Sequence, residues 1–159
     1  YTTPMTAADF ILGYTLPLLP LAVAQCAVCY LAAMLLGLQV TWSMALAVVC
    51  IVPISVLYIA MGLLFGSILT DKQVGGICGA LLTNLTAWFS GIWFDLELVG
   101  GAFVKIARVL PFVHAVELER AVLAGCFTEA LPHLLPILGY AILATVGAAF
   151  FFLRQMERQ

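Results

Sequence analysis

Long apolar runs alternate with short polar interruptions along the chain, and the charges act as punctuation. After Asp9 no Asp, Glu, Lys or Arg appears until Asp71. A helix needs about 20 apolar residues to cross the hydrocarbon of a bilayer, so this interval holds two crossings. They are expected from about Tyr14 to Leu38 and from about Ser43 to Leu69, with GLQVTWS as the turn and Trp42 as an interfacial anchor. TDKQ, residues 70–73, makes the next turn. A third run extends from about Val74 to Phe94, and a fourth from about Leu131 to Leu153 before the tail RQMERQ.

Within these runs, Pro17, Pro20 and Pro53 each remove a helical hydrogen bond and are expected to kink their helices. Gly62 and Gly66 form one G-x-x-x-G, and Gly75 and Gly79 form another across the 70–73 turn. Small residues at that spacing let helices approach closely in lipid, so the second and third spans are expected to pack together there.

The stretch from Asp95 to Glu129 follows another pattern. It carries Asp95, Glu97, Lys105, Arg108, Glu117, Glu119, Arg120 and Glu129, eight of the chain's fourteen charges, yet stays apolar between them. Lys105 and Arg108 are three apart while Phe103, Ile106 and Leu110 take another face; Glu117 and Arg120 are again three apart and suited to pairing. Two short amphipathic helices separated by Pro111 and closed by Gly125 are expected at the lipid–water boundary or dipping below it. No stretch here offers about 20 uncharged residues for a fifth crossing.

Composition turns this pattern into a class. The chain is 65% apolar and 9% charged, against about half and a quarter in soluble domains, so lipid must be the solvent for much of it. The expected fold is an all-α integral membrane protein, a single transmembrane domain over residues 1–159 with about four transmembrane helices. Four crossings put both ends on one side. Arg154, Arg158 and Lys72 mark that side as cytoplasmic, while Lys105, Arg108 and Arg120 count the other way. A net charge of −2 without a basic stripe argues against nucleic acid.

Candidate chemistry is sparse. The five cysteines lie in or beside apolar runs, and Cys26-x-x-Cys29 has no second pair at zinc-site spacing, so they read as small packing residues. His114, Glu117 and His133 could be weighed as metal ligands and Cys126 as a nucleophile, but no H-E-x-x-H pattern completes a hydrolytic site. No G-x-x-x-x-G-K-[ST] is present to cradle a phosphate. The expectation is no catalytic residue, no metal and no cofactor of its own. At the front, YTTPMTAADF lacks an initiator Met and a basic leader, as a processed chain or a fragment would. Thr3 is suited to cap a helix with Pro4 in its first turn.

FSGIWFDLE, then LPF and ELERAVLAG, resembles the outer-face region of type-2 ABC transporter permeases, the membrane subunits of ATP-driven exporters. In that family a Ser-Gly pair closes the fifth span, and a helical hairpin then re-enters the outer leaflet before the sixth. Ser90, Gly91, Pro111 and Arg120 occupy the corresponding positions, with Glu97 and Glu117 as hairpin acids. The resemblance implies an outer re-entrant hairpin over 95–130, acting as a gate. TTPMTAADFILGY resembles the loop that rests on the ATPase, which implies a cytoplasmic coupling segment over 1–12 with Thr3, Pro4, Asp9 and Phe10 in contact. It covers the back part of a family member, and the chain departs from the pattern where Asp95, Leu96 and Gly100 replace usual prolines. The implied function is export of an amphiphilic cargo (drug, lipid, polysaccharide or peptide) across the cytoplasmic membrane. The implied partners are the bilayer, an ABC ATPase subunit that binds the ATP and Mg, and a second permease subunit, identical or paralogous. The rival readings are a non-transporting scaffold or truncated permease, and an intramembrane metal-dependent hydrolase.

Overall fold

The computed structural model describes residues 6–156, and among these every regular element is helical. Three helices are long and apolar enough to cross a membrane: α1 (Ala7–Leu35), α2 (Trp42–Ile68) and α8 (Phe127–Met156). None of Pro17, Pro20, Pro53, Pro132 and Pro136 ends its helix.

The run expected as the third span is not one regular helix. It is helical from Asp71, as α3 (Asp71–Gly76), a π-helical stretch (Ile77–Leu82) and α4 (Thr83–Phe89), and it stops five residues before the expected Phe94. The sequence supplies a reason. Gly75, Gly76 and Gly79 hold the helical backbone weakly, and two side chains beyond them bond back to main-chain carbonyls. The Thr83 hydroxyl donates to the Cys78 carbonyl at 3.2 Å and the Asn84 amide to that of Ala80 at 2.7 Å. Ser90 and Gly91, in the left-handed region at φ +73°, then close the helix.

Three shorter helices follow: α5 (Leu96–Val99), α6 (Gly101–Val109) and α7 (Pro111–Leu123). Gly100 and Gly101 both have positive φ, +65° and +62°, which lets α5 and α6 join without an intervening loop. Pro111 opens α7 at a position where a missing N–H costs nothing.

The core lies between α2, α7 and α8. Ala47, Ile54 and Leu57 of α2 meet Ala115, Leu118 and Val122 of α7 and Ala130, Ile137 and Ala141 of α8. Between lipid-bathed helices there is no hydrophobic drive to associate, so close van der Waals packing of small residues must do it. Accordingly the α2–α8 seam carries Ala60, Ala144 and Ala148, all buried. At Gly147 an added Cβ would stand 3.0 Å from Leu64 Cδ1.

The close approach of α2 to the following run, expected from the two G-x-x-x-G pairs, is not found. An added Cβ on Gly62, Gly66, Gly75 or Gly79 would meet nothing within 4 Å. The expected 70–73 turn is itself the capped first turn of α3, which touches α2 only slightly, so the two glycine pairs are not packed on each other. The apolar face of α7 is buried: Ala115, Leu118 and Val122 join the core with α2 and α8, and Phe112 stacks on Tyr58 of α2. At the opposite end of the bundle, Phe10 stacks on Phe152 with ring centroids 4.2 Å apart, so α1 begins where α8 ends.

Candidate functional site

Of the residues singled out between 90 and 120, Gly91, Glu97, Glu117 and Arg120 line one cavity of about 800 Å³. The segment from Gly91 to Glu97 forms one wall, and Arg108, His114, Glu117, Arg120 and His133 form the rest. Ser90 and Pro111 are fully buried behind it, the Ser90 hydroxyl donating to the Ala87 carbonyl at 3.2 Å. Asp95 caps α5 by accepting from the Glu97 N–H at 3.0 Å.

Arg120 links the two ends of this region. Its Nη1 donates to Glu117 Oε1 at 3.0 Å and its Nη2 to the Gly91 carbonyl at 3.1 Å. The expected pair is therefore present, together with a bond to the turn that ends α4. A second pair, Arg108 to Glu97 at 3.2 Å, spans α6 and α5; both side chains are exposed, so it contributes about 0–1 kcal/mol.

The corner between α6 and α7 is held by His114, His133 and Tyr140. His114 Nε2 bonds to the Arg108 carbonyl at 2.9 Å, and His114 Nδ1 lies 2.9 Å from His133 Nδ1 on α8. A carbonyl only accepts, so Nε2 carries the proton; in the neutral pair His114 Nδ1 accepts from His133 Nδ1–H. Tyr140, also on α8, donates its hydroxyl to the Val109 carbonyl at 2.9 Å. Two carbonyls at the end of α6, where no helical partner remains, are thereby satisfied. The two histidines weighed as metal ligands thus lie against each other.

Glu119 departs most from the sequence reading. It sits two residues beyond Glu117, on a different face of α7, and lines a groove between α1 and α2. Its Oε2 accepts from the Tyr30 hydroxyl at 3.3 Å, while Oε1 is out of contact with solvent and has no hydrogen-bond partner. Burial raises this carboxyl to about 7, and the Tyr30 hydrogen bond works in the opposite direction. The signal was available: two carboxylates two residues apart on one helix cannot share a face.

At the N-terminal end, Thr3 and Pro4 lie outside the described residues. Thr6, not Thr3, caps the described helix, in a reciprocal box with Asp9. The Thr6 N–H and hydroxyl donate to Asp9 Oδ2 at 2.9 and 2.7 Å, and the Asp9 N–H donates to the Thr6 hydroxyl at 3.2 Å. α1 runs unbroken through Phe10 and residue 12, so no break separates a coupling segment from the first span. Phe10 is engaged with Phe152 inside the chain.

Comparison with known families settles the class. A family model described as ABC-2 type transporter matches residues 1–124, which takes in α1, α2, the interrupted third run and α5 to α7. The chain belongs to the ABC-2 type transporter family. It is a multi-pass membrane permease component of an ABC transporter, and the family's members are transport components that are not themselves catalytic. No match was found among curated proteins or among solved structures. The convergence of Gly91, Glu97, Glu117 and Arg120 on one cavity thus belongs to a permease.

Proposed function

We propose that this permease is the membrane-spanning part of an ATP-driven exporter, and that α5, α6 and α7 form a re-entrant gate over the outer end of its path. An ATPase subunit hydrolyses ATP on the cytoplasmic side, where both ends of the chain lie, and a second permease subunit, identical or paralogous, completes the path. ATP and Mg are held by the ATPase, and the cargo is amphiphilic. The observation that carries the gate reading is the Arg120 guanidinium, which joins α7 to the carbonyl that ends α4. A movement of the third run then reaches the hairpin without slack. Exposed Ile92, Trp93 and Leu98 beside the exposed Glu97–Arg108 pair support a hairpin lodged at the membrane–water boundary.

Asp9 and the start of α1 supply the contact with the ATPase. The test is photo-labelling of the purified complex with an azido-nucleotide, beside ATPase and export assays in proteoliposomes. The expected outcome is label on the ATPase alone and hydrolysis that rises with cargo. Label on this chain, or a complex whose hydrolysis ignores every amphiphile while nothing is exported, overturns the reading in favour of a scaffold.

A further inference from the structure

The open groove between α1 and α2 offers about 680 Å³, a size comparable with drug-sized sites of about 300–1,000 Å³. Its walls are aliphatic, from Leu18, Leu21, Ile54 and Ile59, with Gln25 and Ser55 as neutral polar points. Tyr30 and Tyr58 contribute aromatic rings, and Glu119 is the one charged side chain among the lining residues. A carboxylate in such surroundings is costly unless a counter-charge meets it, and here it has one long hydrogen bond from Tyr30 and an unpartnered second oxygen.

We propose that this groove is a binding site for a drug-sized lipophilic monocation, with Glu119 as its counter-charge. The aliphatic walls take the apolar body, and the tyrosine rings offer their faces to the cation. A zwitterionic lipid fits poorly, because its phosphate would find no Lys or Arg along the groove. The other titratable side chains around Glu119 are Cys26, Cys29 and Tyr30 on α1 and Tyr58 and Cys50 on α2, and none of them is a Lys, Arg, Asp or Glu. Burial holds the carboxyl near neutrality, so a cation that requires it ionised binds more tightly as pH rises through 7. The site gives the cargo of the exporter reading a chemical class and rests on that reading only for the step from binding to movement.

The test is equilibrium binding of radiolabelled tetraphenylphosphonium to the purified protein in phosphatidylcholine nanodiscs at pH 8, without nucleotide. Saturable binding is expected, weakened about tenfold or more in Glu119→Gln, the loss of one close charge–charge attraction. Glu117→Gln, in the other cavity, should bind like the parent. Neutral triphenylphosphine oxide should not distinguish parent from Glu119→Gln. Leu21→Trp fills the groove from an exposed position on α1 and carries the test if Glu119→Gln does not fold. Binding that is absent, indifferent to both variants, or lost with Glu117 instead overturns the site, including the case in which another helix occupies the groove. In the complex, binding without stimulation of the ATPase supports the site and counts against the exporter reading alone.

Discussion

The Arg120 guanidinium reaches 29 residues back along the chain to the Gly91 carbonyl, 3.1 Å away, while its other nitrogen holds Glu117. A carbonyl cannot be served by a carboxylate, so exchanging the two charges restores the ion pair and abandons the turn. Arg120→Glu and the double exchange with Glu117→Arg should therefore both lower export in proteoliposomes, by roughly fivefold, equivalent to about 1 kcal/mol. Glu117→Gln should keep most of the rate. Full recovery in the double variant would show that the pair matters and the Gly91 bond does not.

The gate reading fixes a topology. In a cysteine-free background, single cysteines at Gly101 and Thr128 should react with an impermeant thiol reagent from outside. One at Gln155 should react only after the membrane is opened. Labelling of Gly101 and Thr128 from opposite sides would make the hairpin a crossing and end the gate reading.

Packing of α2 on α8 should be sensitive at one glycine and insensitive at four others. Gly147→Val places methyl groups against Leu64, and overpacking of this kind costs about 1–3 kcal/mol. Its melting temperature in detergent should fall, whereas alanine at Gly62, Gly66, Gly75 or Gly79 should leave it level or raised. A drop at any of those four would put a close neighbour against it.

Glu119 gives stability a defined pH dependence. Its folded-state value, about 7, lies above its ordinary 4.5, so the folded protein favours the protonated form. The contribution is complete below about 4.5 and is lost as pH rises to about 7, beyond which it stays lost. The parent's melting temperature should decline over that window relative to Glu119→Gln, with the curves parallel above pH 7.5. Parallel curves from pH 4.5 upward would mean that the carboxyl is solvated.

Much of the fold was legible because lipid imposes a coarse code. Charges between Asp9 and Asp71 are absent, so α2 could be placed to within one residue at each end and the end of α1 to within three, whereas α1 begins seven residues before the expected Tyr14, at a Thr6–Asp9 cap. The helices on either side of Pro111, α6 and α7, were legible from that proline, Gly125 and the charges three apart, whereas the one-turn α5 was not. The third run was not, since its apolar composition is that of a plain span and the departure comes from Thr83 and Asn84 bonding to their own backbone. Glycine spacing misled for a related reason: G-x-x-x-G says that a helix can be approached closely, not by what. Of the site, Gly91, Glu97, Glu117 and Arg120 were legible as a group. Tyr140 and His133 were not, because their partners are main-chain or side-chain atoms on elements that sequence distance hides.

The π-helical stretch has one further consequence. A π turn holds one residue more than an α turn, so α4 is rotated by about 100° from where a regular helix begun at Asp71 would carry it. The two halves of the run are out of phase, and that phase brings Phe89 onto Phe103 of α6, ring centroids 4.6 Å apart. Deleting a single residue between 77 and 82 would shorten the run very little. It would bring the halves back into step and swing Phe89 a quarter-turn off its partner, so the seating of α6 on α4 depends on an extra residue that sequence hydropathy does not register.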